Sequence, residues 1–354
     1  MSLENYLKQS LSQWMDGDGP HSAVAISSRV RLARNLGDYP FPTQASRAQL
    51  DEVENKIRRW WNTGGLKSLG RTEYISMKDI SESERLALVD KHVASPNLAR
   101  QGYGAILINQ GGSVSVMINE EDHIRIQSLL SGLQLSAAWN LASQVDDLFD
   151  RGFRYAWSPE KGYLTCCPTN VGTGMRASVM LHLPGLALSG QLAMVLGTIS
   201  KIGIMVRGLY GEGSEAQGNI YQISNQLTLG QSEEEIIEAL NRVTLQVIRQ
   251  ELDARQSLLE RDRLALTDRV WRAYGILANA RVITSTESLE LISNLRLGID
   301  LKILDNFDPR ILQELLVFTR PGYLEKIFDQ RLGPRDRDIK RAALIRELVK
   351  KSLE

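Results

Sequence analysis

Val24-Ala25-Ile26-Ser27-Ser28-Arg29-Val30-Arg31-Leu32 alternates in character along its length, the period of a strand with one buried face. On such a strand Arg29 and Arg31 share one face while Val30 and Leu32 share the other. Two like charges side by side are unfavourable unless an anion lies between them. Phosphate oxygens would suit, because the guanidinium fork binds them bidentately. The competing reading is a solvated strand face whose arginines make unrelated ion pairs. Working outward, residues 113–119 alternate in the same way, and 178–183 form a further strand candidate. Residues 46–61 and 124–149 carry apolar side chains at intervals of three and four, which predicts helices. Beyond Gly230 the character changes. Ser232 followed by Glu235 is a capping-box signature, and Ile236, Ile237, Leu240, Val243 and Val247 then recur at helical spacing. Strand signals nearly vanish from there to Glu354. The pattern predicts an α/β body followed by a helical C-terminal region, with the boundary near residue 250.

The bulk properties exclude several classes. A chain of 354 residues has room for two compact units. With 43% hydrophobic and 24% charged residues it has the make-up of a soluble globular protein. Its 42 basic residues balance 42 acidic ones, so a general polyanion binder such as a nucleic-acid protein is disfavoured. The two cysteines, Cys166 and Cys167, are adjacent, a poor framework for a structural disulfide and the wrong spacing for a metal site, which suits a reducing compartment. No basic-then-apolar leader opens the sequence. The most apolar stretch, 186–206, is interrupted by Ser189, Gln191, Ser200 and Lys201 and reads as buried core, with no membrane span. A cytoplasmic protein is expected.

Three further segments carry chemistry. Asn119-Glu120-Glu121-Asp122-His123-Ile124-Arg125 follows an apolar strand. Its acids could simply open a helix, or could aim a carboxylate into a site with Arg125 available for a phosphate. In Cys167-Pro168-Thr169-Asn170-Val171-Gly172-Thr173-Gly174-Met175-Arg176 two glycines bracket a threonine, allowing close backbone approach to a ligand, though any tight turn uses such glycines. Arg207-Gly208-Leu209-Tyr210-Gly211-Glu212-Gly213 is a glycine-rich loop, either a plain surface loop or a substrate clamp. No Walker A lysine pattern and no protein-kinase catalytic signature occurs.

Taken in order, Ser-Ser-Arg-Val-Arg, Asn-Glu-Glu-Asp-His-x-Arg, Cys-Pro-Thr-Asn-x-Gly-Thr-Gly-x-Arg and Arg-Gly-x-x-Gly-Glu resemble the phosphagen (guanidino) kinases across residues 24–250. The resemblance implies an α+β fold in which an antiparallel sheet is flanked by helices, followed by an all-α C-terminal domain. The corresponding division is a catalytic domain at 1–250 and a regulatory one at 251–354. It further implies that Ser27, Ser28, Arg29, Arg31, Arg125, Arg176 and Arg207 hold ATP, with His92 of Asp90-Lys91-His92 a nucleotide contact. Magnesium would be held mainly by the phosphates and water. Glu121 matches the family's catalytic carboxylate, which orients the attacking guanidinium nitrogen and accepts its proton. Glu212 stands where arginine kinases place a second carboxylate on the acceptor, and Cys167 matches the reactive cysteine. Phosphoryl transfer is chiefly positioning and electrostatic stabilisation, which such a set supplies.

Two departures narrow the acceptor. The small-molecule enzymes carry a helical domain before the first arginine motif, whereas here that motif starts at Ser27, so an open acceptor site suited to a protein-borne arginine is expected. The C-terminal helical region is the second departure. Both resemble the bacterial protein-arginine kinases, as does Arg337-Asp338-Ile339-Lys340-Arg341-Ala342, which implies an allosteric phosphoarginine site at Arg337, Asp338 and Arg341. A solvated basic helix is the plainer alternative. The resemblance also implies protein substrates marked for the Clp protease system, a stress-response role, an activator protein and a homodimer. A small-molecule arginine kinase and an inactive phosphoarginine-binding adaptor are the other readings.

Overall fold

The computed structural model describes residues 12–208, 217–305, 307 and 310–351. Strands β1 (Ala25–Arg34), β2 (Thr72–Ser76), β3 (Ala105–Asn109), β4 (Val114–Ile118), β5 (Ile124–Ser131), β8 (Met175–His182), β9 (Ile204–Gly208) and β10 (Ile220–Asn225) form one sheet, and β6 (Trp157–Ser158) and β7 (Gly162–Tyr163) a separate two-residue ribbon. The order in the large sheet is β2-β3-β4-β5-β1-β8-β10-β9, and every pairing is antiparallel. The helices of the body are α1 (Arg47–Asn62), α2 (Glu82–Asp90), α3 (Pro96–Gln101), α4 (Leu135–Gly152), α5 (Pro184–Leu188) and α6 (Leu192–Lys201). Then come α7 (Glu233–Arg261), α8 (Arg263–Asn279), α9 (Ser285–Asp300), α10 (Arg310–Phe318), α11 (Pro321–Ile327) and α12 (Pro334–Lys351). The antiparallel sheet, its flanking helices and the helical C-terminal region agree with the expected architecture.

Alternation in β1 does what it promised. Val30 and Leu32 are fully buried in the larger core, with Val53 and Ile57 of α1, Ala138, Val145 and Phe149 of α4, and Leu240 and Val247 of α7. Both signalled helix starts are closed by reciprocal capping boxes: Ser46 with Gln49 before α1 and Ser232 with Glu235 before α7. Each satisfies orphan amide donors of the first turn.

Two expectations fail. Residues 124–149 are not one helix. Their first part is β5, with Ile124 and Ile126 buried and both edges paired, to β4 and to β1. The chain then turns at Gly132 (φ +65°), where a Cβ would sit 2.5 Å from the Pro20 carbonyl oxygen. An apolar stretch of that length fits both periods, and strand pairing decided it. Nor is 186–206 uniformly core. α6 is amphipathic: Val195 and Ile199 are buried, while Met194 is 67% and nearby Ile202 61% exposed.

Residue 250 lies inside α7, a continuous helix of 29 residues. Beyond 250, Glu251 accepts the amides of Gly185 and Leu186 at 2.8 Å each. Arg255 is paired with Glu251 and Asp300 at 2.6 and 2.9 Å and donates to the His182 carbonyl. The later helices make their own core from Val270, Leu277, Ile292, Leu295, Leu315 and Ile345. Val317, Phe318 and Tyr323 also share a core with Trp14, Met77, Leu88 and Leu98 of the body. No helix among the described residues is long and apolar enough to cross a membrane.

Candidate active site

Sheet register assembles the arginines. Ser27, Arg29, Arg31 and Ala33 lie on one face of β1 by alternation. Arg31 stands opposite Arg176 of β8, and Ala33 opposite Arg125 of β5. Arg29 faces Ser178, Ser178 faces Ser224 of β10, and two residues away Gln222 faces Arg207 of β9. Directly paired residues point to the same side, so Arg29, Arg31, Arg125, Arg176 and Arg207 share the face opposite Val30 and Leu32. Gln222 Oε1 accepts from Arg29 at 3.0 Å.

This face is electrostatically uncomfortable. Burial first, then the charges of Arg125 and Arg176, pull the Arg29 guanidinium down to about 10. Burial and the charges of Arg29, Arg125 and Arg176 hold Arg31 well below its ordinary value, against a small opposing pull from Glu120. A guanidinium does not surrender its proton in a protein. The direction therefore registers burial first and crowded positive charge second, and a bound polyanion would relieve the crowding.

The three acids lie in a hairpin turn from β4 to β5, not at a helix start. Asn119 (φ +55°) opens it, with its amide donating to the His123 carbonyl at 2.9 Å; asparagine tolerates that left-handed conformation better than most side chains. Arg125 is gripped twice, by Glu120 at 2.6 Å and Glu121 at 2.7 Å. Glu120 is buried and also accepts the Ser95 hydroxyl and the Glu121 amide, each at 2.8 Å. Glu121 keeps 37% of its side chain exposed. Buried Asp122 accepts from Asn35 Nδ2 and from the Cys166 amide, both at 2.7 Å. That second bond moors the cysteine segment to the acidic turn, and Cys167 follows with Sγ 3.0 Å from Thr169 Oγ1.

A cleft of about 200 Å³ results, lined by Arg31, Glu121, Arg125, Cys167, Arg176 and Arg207 together with Thr169, Asn170 and Gly174. A smaller hollow beside it is lined by Ser27, Arg29, His92, Ser178, Met180 and Gln222. Burial and the charges of Arg320 and Arg29 push the His92 imidazole down to about 3, so it is neutral at physiological pH.

Some sequence-derived candidates have other duties. Ser28 points to the opposite face, where its hydroxyl donates to the Gly132 carbonyl and accepts the Gln134 amide; strand alternation forbids it from facing the arginines. Gly172 (φ +112°) and Gly174 (φ +63°) permit close approach to the protein's own backbone. A Cβ would lie 2.1 Å from the Thr228 carbonyl oxygen at the first and 2.6 Å from that of Ala33 at the second. Glu212 lies outside the described residues. Arg341 is buried, donating to the carbonyls of Thr319 and Ile283 and paired with Asp338. Arg337 lines a cavity of about 590 Å³ between the start of α2 and the α11–α12 region. Arg337 is thus the more accessible of the two arginines, while the Arg341 guanidinium is already engaged by backbone carbonyls.

Sequence reasoning passed over Glu120, Asp122 and Asn35. The partners of Asp122 are 87 and 44 residues away in sequence, so no local pattern marks them.

Residues 52–254 match the family described as the ATP:guanido phosphotransferase C-terminal catalytic domain. Residues 263–354 match the protein-arginine kinase McsB C-terminal domain. The protein-arginine kinase of Bacillus pumilus is 48% identical over 99% of this chain and 96% of its own length. That of Brevibacillus brevis is 47% identical over 99% and 98%. Among solved structures, lombricine kinase superposes with a TM-score of 0.56 at 24% identity over 69% of each chain. The duplicated taurocyamine kinase of Schistosoma mansoni gives a TM-score of 0.58 at 24% identity, over 81% of this chain and 43% of that longer one.

Proposed function

We infer, for a chain that belongs to the protein-arginine kinase family of ATP:guanido phosphotransferases, that it transfers the γ-phosphoryl group of ATP to arginine side chains of proteins. The supporting observation is a single cleft that combines Arg31, Arg125, Arg176 and Arg207 with Glu121 and Cys167. The arginines take the phosphate oxygens and, with Arg29 and neutral His92 in the adjoining hollow, orient the nucleotide. A magnesium ion fits this donor set as a passenger on the phosphates and water, where it would draw off negative charge.

In the transfer step an acceptor guanidinium nitrogen bonds to the γ-phosphorus while the bond to the β-phosphate oxygen breaks, releasing ADP. The nitrogen's proton passes to the Glu121 carboxylate. Arg125 can turn from Glu121 towards the γ-phosphoryl without losing its hold on Glu120, which frees the partly exposed carboxylate for the acceptor. Cys167 stands beside the acceptor guanidinium, and Glu212 supplies the second carboxylate.

The finer assignments follow the family resemblance. Residues 1–250 form the catalytic unit and 251–354 the regulatory helical region, with α7 common to both. Arg337, with Asp338 and Arg341 behind it, gives the regulatory region its phosphoarginine site. The enzyme acts in the cytoplasm as a homodimer with an activator protein, marking proteins for the Clp protease system during stress. The test is incubation with ATP and either an unfolded protein or free arginine, followed by mass spectrometry without acid. Phosphoarginine on the protein is expected. Efficient phosphorylation of free arginine with none on protein would sink this reading.

A further inference from the structure

Helix α2 is clamped to the C-terminal helices at both ends. Near its start Glu84 takes the Lys326 ammonium at 2.9 Å. At its last residue Asp90 Oδ2 accepts the Tyr323 amide at 2.9 Å, and the Gly322 amide also bonds to this carboxylate. The seam between these points has no slack. A Cβ on Gly322 would lie 2.5 Å from the Leu86 Cβ and 2.8 Å from Asp90 Oδ2. The cavity that reaches Arg337 opens on the same seam, with Ser81, Glu82, Ser83 and Leu86 of the α2 side in its wall.

Two residues past Asp90 the chain reaches His92, which lines the hollow with Arg29. Its backbone is left-handed at φ +60°, a conformation that a non-glycine residue keeps only where its surroundings over-determine it. Those surroundings are visible. The His92 carbonyl accepts Gln127 Nε2 at 2.7 Å, and its ring meets Trp14 edge-on at 5.1 Å. Lys91, between them, is buried with its ammonium 5.7 Å from the Tyr323 ring centre. The turn that presents His92 to the nucleotide hollow is thus built partly from the first turn of α11.

We propose that Asp90 is a positioning residue for phosphoryl transfer: by gripping the first turn of α11 it fixes His92 beside Arg29, so that the seating of the C-terminal helices sets nucleotide affinity. This rests on the nucleotide reading of the arginine face. Burial holds the Asp90 carboxyl up at about 6, against the pull of Arg320 and the two amides, so it is ionised at neutral pH and aimed at amide donors. The hydrogen bond needs an acceptor oxygen and no particular chemistry beyond that. The link is mechanical, and Asp90 itself stays away from the substrates.

The experiment uses the full chain, with initial rates measured against ATP concentration at saturating protein substrate. Asp90→Asn keeps an acceptor oxygen, and its KM for ATP should stay within about twofold of the parent. Asp90→Ala and Gly322→Ala should each raise that KM about tenfold while kcat stays within about threefold. If either folded alanine variant leaves KM unchanged, or loses kcat and KM only in proportion to its unfolded fraction, the proposal is overturned. Should both melt below the assay temperature, Lys326→Met at the partly exposed end of the seam decides: a KM rise of about threefold or more supports the link and no rise overturns it. Failure of the underlying reading looks different, since Arg29→Ala would then also leave the KM for ATP unmoved.

Discussion

Glu121 and Arg125 face each other across the turn at 2.7 Å, so the group proposed to take the proton and a group proposed to hold phosphate are parked against one another. The pair keeps both side chains poised while Glu120 anchors the arginine from its buried side.

Replacing Glu121 with glutamine should leave ATP binding nearly intact and lower kcat by about 10²–10⁴, the usual worth of a positioned general base. Calorimetric titration with ATP beside quantified phosphoarginine on a test protein checks it. Retention of full kcat would remove Glu121 from the proton-accepting role.

Arg31 is half-buried among like charges, so its loss should weaken ATP binding without weakening the free protein in step. Arg31→Ala should cost binding about 1.5–3 kcal/mol, the range for a hydrogen bond to a charged group. The free variant should melt no lower than the parent, because repulsion from Arg29, Arg125 and Arg176 is removed. The readout is the melting-temperature rise on adding ATP, which should shrink. An undiminished rise would show that Arg31 does not touch the nucleotide.

Asp122 ties Asn35 and the Cys166 amide together, and Asp122→Ala should free the cysteine segment. We expect destabilisation of about 1.5–3 kcal/mol per severed charged hydrogen bond, and faster alkylation of Cys167 by iodoacetamide. Unaltered melting and alkylation would mean the mooring has no consequence.

Arg337 and Arg341 should separate cleanly. Arg341 is buried on carbonyl groups, so Arg341→Ala should lower the melting temperature. Arg337 is partly exposed at a cavity with a loose 3.6 Å pairing to Glu325, so Arg337→Ala should keep the melting temperature while losing phosphoarginine binding. Equal melting losses in both variants would refute this division.

Acid should destabilise the fold through its histidines. Burial holds His92 at about 3, His123 at about 4 and His182 well below the ordinary value near 6.5. Between those values and 6.5 the unfolded chain binds protons that the folded one refuses, so stability falls as pH drops below 6.5. Each histidine contributes up to about 1.4 kcal/mol per pH unit. Asp90, raised to about 6, and Glu251 and Asp300, also raised by burial, act in the opposite sense, favouring the folded state as pH falls; the decline is therefore steepest just below 6.5, where the histidines titrate first. Melting temperatures from pH 7.5 to 5 should decline, and His92→Gln should flatten the slope. A flat profile in the parent would contradict the burial of these rings.

How much was legible follows from how local each signal is. β1 and the capping box at Ser232 were readable because alternation and a three-residue reciprocal bond are short-range. The arginine motifs gave the candidate set because residue type alone fits them to phosphate. β5 was misread because Ile124, Ile126, Leu129 and Leu130 satisfy both periods until a partner strand is chosen. Ser28 was placed with its neighbours by motif, although alternation in the same strand already turns it away. The fate of Arg341 was unreadable, since its partners Thr319 and Ile283 are fixed only when three separate helical segments meet.

The unbroken helix α7 has a consequence for how this protein can be divided. At about 1.5 Å per residue it is a rod of about 43 Å, and its last turns, through Glu251 and Arg255, cradle a segment that belongs to the body. Among the described residues, the stretch around residue 250 is therefore unbroken helix, with no loop there for a protease to enter. A fragment ending at residue 250 would lose the acceptors of Gly185 and Leu186.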